Sequence, residues 1–261
     1  TNSTICIILT CLFLWNNIYN INGARFWTAS WVSIYCIFKL FYDKKPLYLL
    51  LAFCTPMIHA SFIILPLILV VAYFIKNFKN TLIILFCISW AFSIVAEDFQ
   101  IQPFGDINLP YAISRKIDYY SDQQYIQGLS QGTGFFWVSQ LFKILLRNYV
   151  DCLILIIALN ENNIYNKKAI PITRFMLILA ITANLGMFIP TFGGRFFVVN
   201  YSLIAYSFLV TFGDFKYQRL VYALPVVWFM NLFYLYKDVT TVLDFGFLLT
   251  PIFSFIRYLF V

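Results

Sequence analysis

The chain has 261 residues, of which 62% are hydrophobic, 21% aromatic and only 11% charged. Soluble domains contain about 25% charged and about 45–50% apolar residues, so this composition excludes a soluble enzyme, a disordered chain and a small disulfide scaffold. The net charge of +7 does not indicate nucleic-acid binding, because the cations form short clusters between apolar runs, as membrane topology determinants do. The sequence therefore predicts a polytopic protein embedded in the lipid bilayer.

Apolar runs of membrane-spanning length recur along the whole chain. A transmembrane helix needs about 20 mostly apolar residues, and by this criterion we predict about ten membrane segments in a single transmembrane domain over residues 1–261. The predicted fold class is all-α, a polytopic transmembrane helix bundle. The segments are residues 3–18, 24–42, 47–57, 60–76, 80–96, 134–160, 170–190, 196–213, 220–236 and 245–261. Because the chain begins at Thr1 without a signal-peptide pattern, we expect the native N-terminus to lie upstream of this residue.

The stretch over residues 47–75 needs a break. An unbroken helix over these residues would be about 43 Å long, which is too long for one crossing, and Pro56 and Pro66 disfavour it. Basic residues flank the stretch at both ends, and only a hairpin puts both groups on one membrane face. We therefore predict two short arms that meet at His59.

The distribution of Lys and Arg predicts the orientation of the bundle. Alternating the predicted segments puts most cations on one face, which the positive-inside rule makes cytoplasmic. That cytoplasmic set includes Lys44, Lys45, Lys76, Lys79, Lys167, Lys168, Arg174, Lys216 and Arg219. The outer set is Arg25, Arg115, Lys116, Arg195 and Lys237.

Residues 97–133 are unlike the rest of the chain. They contain acidic residues, glutamines, prolines, glycines and several tyrosines, and the alternation puts them on the outer face. Connections between elements are usually about 4–6 residues long, and much longer ones are commonly functional. We predict one long, partly helical external loop that covers the outer face.

Three ionisable side chains are predicted to lie at the outer ends of different hairpins. Taken singly, Arg25 is explained as a snorkelling anchor, His59 as a hydrogen-bonded packing residue, and Arg195 as an anchor after a Gly193-Gly194 turn. Snorkelling does not explain their convergence on one face. Two guanidinium groups can bind a diphosphate bidentately, and an imidazole can take a proton from a hydroxyl. The three residues therefore indicate a glycosyl- or phosphoryl-transfer site.

Lys143, Arg147 and Asp151 lie four residues apart, on one face of a predicted span. Such a row should face the bundle interior. An internal Arg147–Asp151 ion pair and a contact with a lipid diphosphate are equally compatible with the pattern. With one histidine and no acidic cluster in the predicted spans, neither a protein-bound metal nor another cofactor is expected.

Several of these residues resemble motifs of the Wzy-type O-antigen and exopolysaccharide polymerases, in particular the EpsG-like branch. The tightest match covers about residues 22–70, where an N-G-x-R motif at the head of a helix is followed by a basic turn and an H-x-S motif. A later Arg followed by a Tyr, and a basic and aromatic external segment, extend the likeness. The matching residues are Asn22, Gly23, Arg25, Asp43, Lys44, Lys45, His59, Ser61, Arg115, Lys116, Tyr119, Tyr120, Arg195 and Tyr201.

This resemblance implies a GT-C-like polymerase of the bacterial inner membrane, with its active site facing the periplasm. It would transfer a glycan from undecaprenyl diphosphate to a second lipid-linked repeat unit of O-antigen lipopolysaccharide, capsule or exopolysaccharide. His59, Arg25 and Arg195 would be catalytic, with His59 the general base and both arginines on the diphosphate. Substrate contacts would come from Arg115, Lys116, Tyr119, Tyr120, Tyr201, Lys143 and Arg147. A regulator of chain length is the further partner that the resemblance raises.

Two other functions use the same features. A flippase for the lipid-linked oligosaccharide would also present outward-facing cations, but it should carry repeats and a cationic cavity that reaches the midplane. Only Lys143 and Arg147 fit that description. An O-antigen ligase would share the chemistry and differ in its acceptor.

Overall fold

The computed structural model describes residues 24–75, 78–96, 136–188 and 192–212. These residues form helices and turns without a strand, which confirms the all-α prediction for this part of the chain. The helices are α1 Ala24–Phe41, α2 Leu47–Ala52, α3 Thr55–Ile58, α4 Ile64–Ile75, α5 Lys79–Ala96, α6 Phe136–Leu159, α7 Ile170–Leu185 and α8 Phe192–Phe212. The predicted spans 3–18, 220–236 and 245–261 and the predicted loop 97–133 lie outside the described residues.

The chain breaks at His59, as predicted. His59 has an extended backbone, with φ −149° and ψ 119°, between α3 and a short 3-10 turn that leads into α4. Pro56 lies in the first turn of α3 and Pro66 is the third residue of α4, where a missing backbone N–H costs little. The first arm differs from the prediction because it is divided again between α2 and α3.

The break returns the chain along α1. Helix α1 packs against both α2 and α3, and α2 also contacts α4. The ring of Phe26, at the start of α1, lies 5.3 Å from the ring of His59, at the end of α3. The α2–α3 arm therefore runs antiparallel to α1, and α4 reverses direction once more.

Helix α7 is the centre of the described bundle. It packs mainly against α5 and α8 and also contacts α6, and most of its side chains are buried. Two polar contacts set its register against α6 and the 3-10 turn that follows it: Arg174 binds Glu161 in that turn, and Asn184 binds Asp151 in α6. Arg174 and Asn184 are separated by about 15 Å of helix rise on α7, and their partners follow in the opposite order along the chain, so α6 and α7 run antiparallel.

Helix α8 begins at Phe192, four residues before the predicted span, so the Gly193-Gly194 pair lies within the helix and does not form the turn considered from the sequence. A Cβ on Gly193 would lie 2.6 Å from the carbonyl oxygen of Ala183 on α7. The missing side chain therefore allows the start of α8 to approach the end of α7 closely. Further along, Thr173 Oγ1 donates to Ser207 Oγ at 3.2 Å, so these two helices are antiparallel as well.

Two helices, Lys167–Leu185 and Phe192–Phe212, are long and apolar enough to cross a membrane. The shorter helix α5 exposes apolar side chains and buries polar ones: Ile84, Ile88 and Ile94 are about 60% exposed, whereas Ser89 and Ser93 are 1% exposed. Both serine hydroxyls are satisfied by helix carbonyls three residues earlier. This distribution is the reverse of that in a water-soluble helix.

Two connections meet at the end of the bundle opposite His59. Asn166 Nδ2 donates to Tyr42 Oη at 2.9 Å, and the ammonium group of Lys168 lies 5.8 Å from the Tyr42 ring. The basic turn after α1 and the basic turn before α7 therefore share one end of the bundle, as the alternation predicted. Arg174, predicted to be a topology cation on this face, also binds Glu161 through two hydrogen bonds of 2.9 and 2.7 Å.

Candidate active site

The buried ring of Phe26 brings two of the three predicted catalytic residues together. His59 approaches this ring edge-on, with centroids 5.3 Å apart, and Arg195 lies with its Cζ 5.8 Å from the ring centroid. Phe62 and Phe196 pack on the same ring, at 5.0 and 6.2 Å. An imidazole from the α3–α4 break and a guanidinium from the first turn of α8 thus share one aromatic support at the start of α1.

Arg25 belongs to the same end of the bundle but not to this contact. It precedes Phe26 in the first turn of α1, and its side chain is exposed. Consecutive helix residues are rotated by about 100° from each other, so Arg25 and the buried Phe26 ring face different directions. The structure therefore brings His59 and Arg195 onto one aromatic ring and places Arg25 only at the same end of the bundle.

The hydrogen bonds of His59 define which ring nitrogen carries a proton. The backbone N–H of Ser61 donates to Nδ1 at 3.3 Å, and Ser61 Oγ lies 2.6 Å from the same atom. Because a backbone N–H can only donate, Nδ1 is an acceptor, and the neutral ring carries its hydrogen on Nε2. The basic lone pair of His59 is therefore directed at the Ser61 hydroxyl.

A second polar cluster lies between α6, α7 and α8. Asp151 is fully buried, and its Oδ1 accepts a hydrogen bond from Asn184 Nδ2 at 3.2 Å. The other carboxylate oxygen, Oδ2, has no hydrogen-bond partner in the described part of the chain. Arg147 lies one helical turn earlier on α6, and its positive charge partly compensates that of the carboxylate. A buried carboxylate needs such compensation, because its desolvation costs several kcal/mol.

The predicted stripe on α6 thus faces the interior at two of its three positions. Arg147 is half-buried and Asp151 is buried, but Asp151 Oδ2 has no hydrogen-bond partner among the described residues, so the internal ion pair stays a prediction. Lys143 lies in α6, but its side chain lies outside the described structure. Arg147 lies one helical turn before Asp151 on α6, in the direction of the Phe26 end of the bundle.

The two clusters lie at similar heights in the bundle. Thr173 and Ser207 are hydrogen-bonded across α7 and α8. From that level the helix rise puts Asn184 about 17 Å and Arg195 about 18 Å toward the Phe26 end. Arg147 lies about 6 Å further in that direction than the Asp151–Asn184 pair, and α8 packs against α6. Arg147 therefore belongs to the same end of the bundle as His59 and Arg195.

Three contributors to these clusters were not predicted as site residues. Phe26 follows Arg25 in the quoted motif but is one of 30 phenylalanines, so nothing in the composition distinguishes it. Ser61 lies in the quoted H-x-S motif, and its spacing from His59 was the available signal. Asn184 is an amide in an apolar run. Because burying an unpaired amide is costly, its position in the sequence already indicated a polar partner.

The remaining predicted substrate residues, Arg115, Lys116, Tyr119 and Tyr120, lie outside the described residues. Within the part of the chain that the structure describes, no three side chains of His, Cys, Asp or Glu come together to form a metal site. Tyr201 lies on α8 next to the Asp151 cluster, further from the Phe26 end of the bundle than Arg195.

No protein-family model, no curated protein and no solved structure matches this chain. The residues and their geometry are therefore the basis on which a function is proposed.

Proposed function

We propose that this chain is a polytopic polymerase of the bacterial inner membrane, of the Wzy type and similar to its EpsG-like branch. It would transfer a glycan from undecaprenyl diphosphate to another lipid-linked repeat unit at the periplasmic face. The observation that carries this proposal is the shared contact of His59 and Arg195 with the buried Phe26 ring. The reaction needs at least a general base and a cation that binds the diphosphate. In this chain the two residues come from distant parts of the sequence.

Membrane residence is supported by the distribution of side chains on the helices. The outward faces of α4 and α5 are rich in large apolar residues, such as Phe74 at 70% and Ile88 at 59% exposure, while serines are buried. In water, such contiguous apolar surface would favour aggregation. In lipid it has no such cost, and small polar residues between helices are typical of membrane bundles.

The reaction requires a proton acceptor and stabilisation of a leaving group. The oxygen of the acceptor hydroxyl forms a bond to the anomeric carbon, the bond from that carbon to the diphosphate oxygen breaks, and the lipid diphosphate leaves with the electron pair. We propose that the hydroxyl proton reaches His59 Nδ1 through Ser61: the substrate hydroxyl donates to Ser61 Oγ as the serine proton moves to the imidazole. The 2.6 Å separation of Oγ and Nδ1 suits this transfer.

The arginines would act on the developing charge of the diphosphate. Arg195 is supported by the Phe26 ring, so its guanidinium loses little freedom when it binds, and the exposed Arg25 lies at the same end of the bundle. Hydrogen-bond donors aimed at charge that grows in the transition state usually provide the largest rate effect. Arg147, half-buried at the same end of the bundle, is the candidate for the second phosphate. Arg115, Lys116, Tyr119 and Tyr120 remain proposed contacts to the acceptor sugar.

The experiment that tests this function is complementation of a deletion strain with the full gene. We expect His59→Ala to abolish long-chain polymer at normal protein levels, leaving single repeat units on the surface lipid. Met57→Ala is the matched control, because Met57 lies two residues away and is 89% exposed; it should support normal polymer.

The pattern of accumulation separates the proposal from its rivals. Loss of a flippase leaves no repeat units on the surface, and loss of a ligase leaves polymer on undecaprenyl diphosphate. Either pattern in the His59→Ala strain, or normal polymer, would overturn the assignment.

A further inference from the structure

The end of the bundle opposite His59 carries a basic surface that the proposed reaction does not use. It is formed by the turn between α1 and α2 and by the connection between α6 and α7, and we call it the basic end. Its exposed cations are Lys44, Lys45, Lys167 and Lys168. The Asn166–Tyr42 hydrogen bond of 2.9 Å joins the two connections, so the four lysines belong to one surface.

The acidic residues described at this end are already paired with helix cations. Lys39 donates to Asp43 Oδ2 at 2.7 Å, which holds the pKa of that carboxyl below its usual value, and Lys45 and Lys168 act in the same direction. Glu161 is 4% exposed and binds Arg174 through two hydrogen bonds. Since Lys39 and Arg174 neutralise these two carboxylates, the charge of the four surface lysines is left uncompensated in the described part of this end.

Aromatic and aliphatic side chains accompany the lysines. Tyr165 is 97% exposed and Leu47 is 71% exposed, and Tyr42 lies beneath the ammonium group of Lys168. Tyrosines next to lysines are typical of the membrane–water interface, where the ring lies at the level of the headgroups and the cation reaches a phosphate. A surface of this composition suits a headgroup layer better than bulk water.

We propose that the basic end is a binding surface for anionic phospholipids, with lysines from both connections contacting headgroup phosphates. This inference rests on the membrane residence proposed above but not on the polymerase reaction. Basic groups at a bilayer surface favour anionic lipids by an amount that corresponds to about a 5-fold gain in affinity for each lysine. Loss of two lysines should therefore weaken the preference by about 30-fold.

The test uses the full chain purified in a neutral detergent and native mass spectrometry to count retained lipids. Dioleoylphosphatidylglycerol is titrated against dioleoylphosphatidylcholine as the neutral reference. We expect the unmodified chain to retain the anionic lipid preferentially. Lys167→Gln with Lys168→Gln should reduce that preference by about 30-fold. Lys167→Arg with Lys168→Arg keeps both charges and should preserve the preference.

The matched control is Asn162→Gln with Asn163→Gln, which changes two exposed neutral side chains on the same connection and leaves its charge unaltered. The proposal is overturned if this control loses the preference equally, or if the unmodified chain binds both lipids alike. If the Lys167 and Lys168 variant does not fold, Lys44→Gln with Lys45→Gln serves the same purpose.

A further arm of the experiment adds glycerophosphoglycerol, the water-soluble headgroup. Displacement of lipid at equal concentration would indicate a site for free phosphodiesters and would overturn the lipid assignment. No glycan donor is present, so failure of the polymerase proposal leaves this result unaffected.

Discussion

Gly193 and Gly194 are neighbours in the first turn of α8, and alanine at each should have opposite effects on stability. A Cβ at position 193 would meet three backbone atoms at 2.6, 2.7 and 2.8 Å, from Ala183, Met187 and Gly186, whereas one at position 194 would meet nothing within 4 Å. Backbone atoms cannot rotate away as a side chain can. Gly193→Ala must therefore separate the start of α8 from the end of α7.

The magnitude follows from these distances. Ordinary contact begins at 3.4 Å, so the helices must separate locally by about 0.8 Å, and overpacking of this size costs about 1–3 kcal/mol. Gly194→Ala has no such clash and should stabilise the protein by about 0.4–1 kcal/mol, because it restricts the unfolded chain. A displacement near 1 Å at the adjacent Arg195 should also reduce transfer activity by about 10²-fold.

Thermal unfolding of the two variants in detergent, followed by loss of the monodisperse species, measures the difference. We expect Gly193→Ala to unfold about 3–10 °C below the unmodified protein and Gly194→Ala at or above it. Equal behaviour of the two variants, or a stable Gly193→Ala with normal polymer, would refute the close approach of α7 and α8.

Three further substitutions test other parts of the structure. Ser61→Ala should lower the rate of polymer formation by at least about 10²-fold, while Ser61→Thr, which keeps the hydroxyl, should retain activity. If the two variants form polymer at equal rates in a membrane assay, the serine takes no part in proton transfer. Asp151→Ala should destabilise the protein by about 1–3 kcal/mol, because the buried Asn184 amide loses its hydrogen-bond acceptor, and Asp151→Asn, which keeps an acceptor oxygen, should cost less. Thermal unfolding that ranks them otherwise argues against the Asp151–Asn184 hydrogen bond. Ile88→Asp should reduce membrane insertion, because a charged residue at a lipid-facing position raises the free energy of insertion by about 2.5–3.5 kcal/mol. Ile88→Leu should insert normally. Undiminished accumulation of Ile88→Asp in the membrane fraction would mean that α5 does not face lipid.

The sequence was sufficient for features that depend on length, charge and local chemistry. The break at His59 follows from a run too long for one crossing and from two prolines, and the shared basic end follows from the distribution of lysines. Helices α1, α5 and α6 begin and end within about two residues of the predicted spans, because long apolar runs with polar ends leave little freedom.

Features that depend on which helices meet could not be predicted in this way. Gly193 was interpreted as part of a turn, since its role appears only when α7 lies beside it. Phe26 matters because two residues distant in sequence, His59 and Arg195, contact its ring. The ion pair of Arg174 forms because Glu161 lies beside it. None of these contacts has a periodic or spacing signal in a single sequence.

The most direct test of the central claim is polymerisation by the purified full-length protein in liposomes supplied with undecaprenyl-diphosphate-linked repeat units. The account predicts a ladder of products with two, three and more repeat units, released lipid diphosphate in equal amount to the new bonds, and neither product with His59→Ala. Repeat units that stay single with the active protein, or a ladder that His59→Ala also makes, would contradict it.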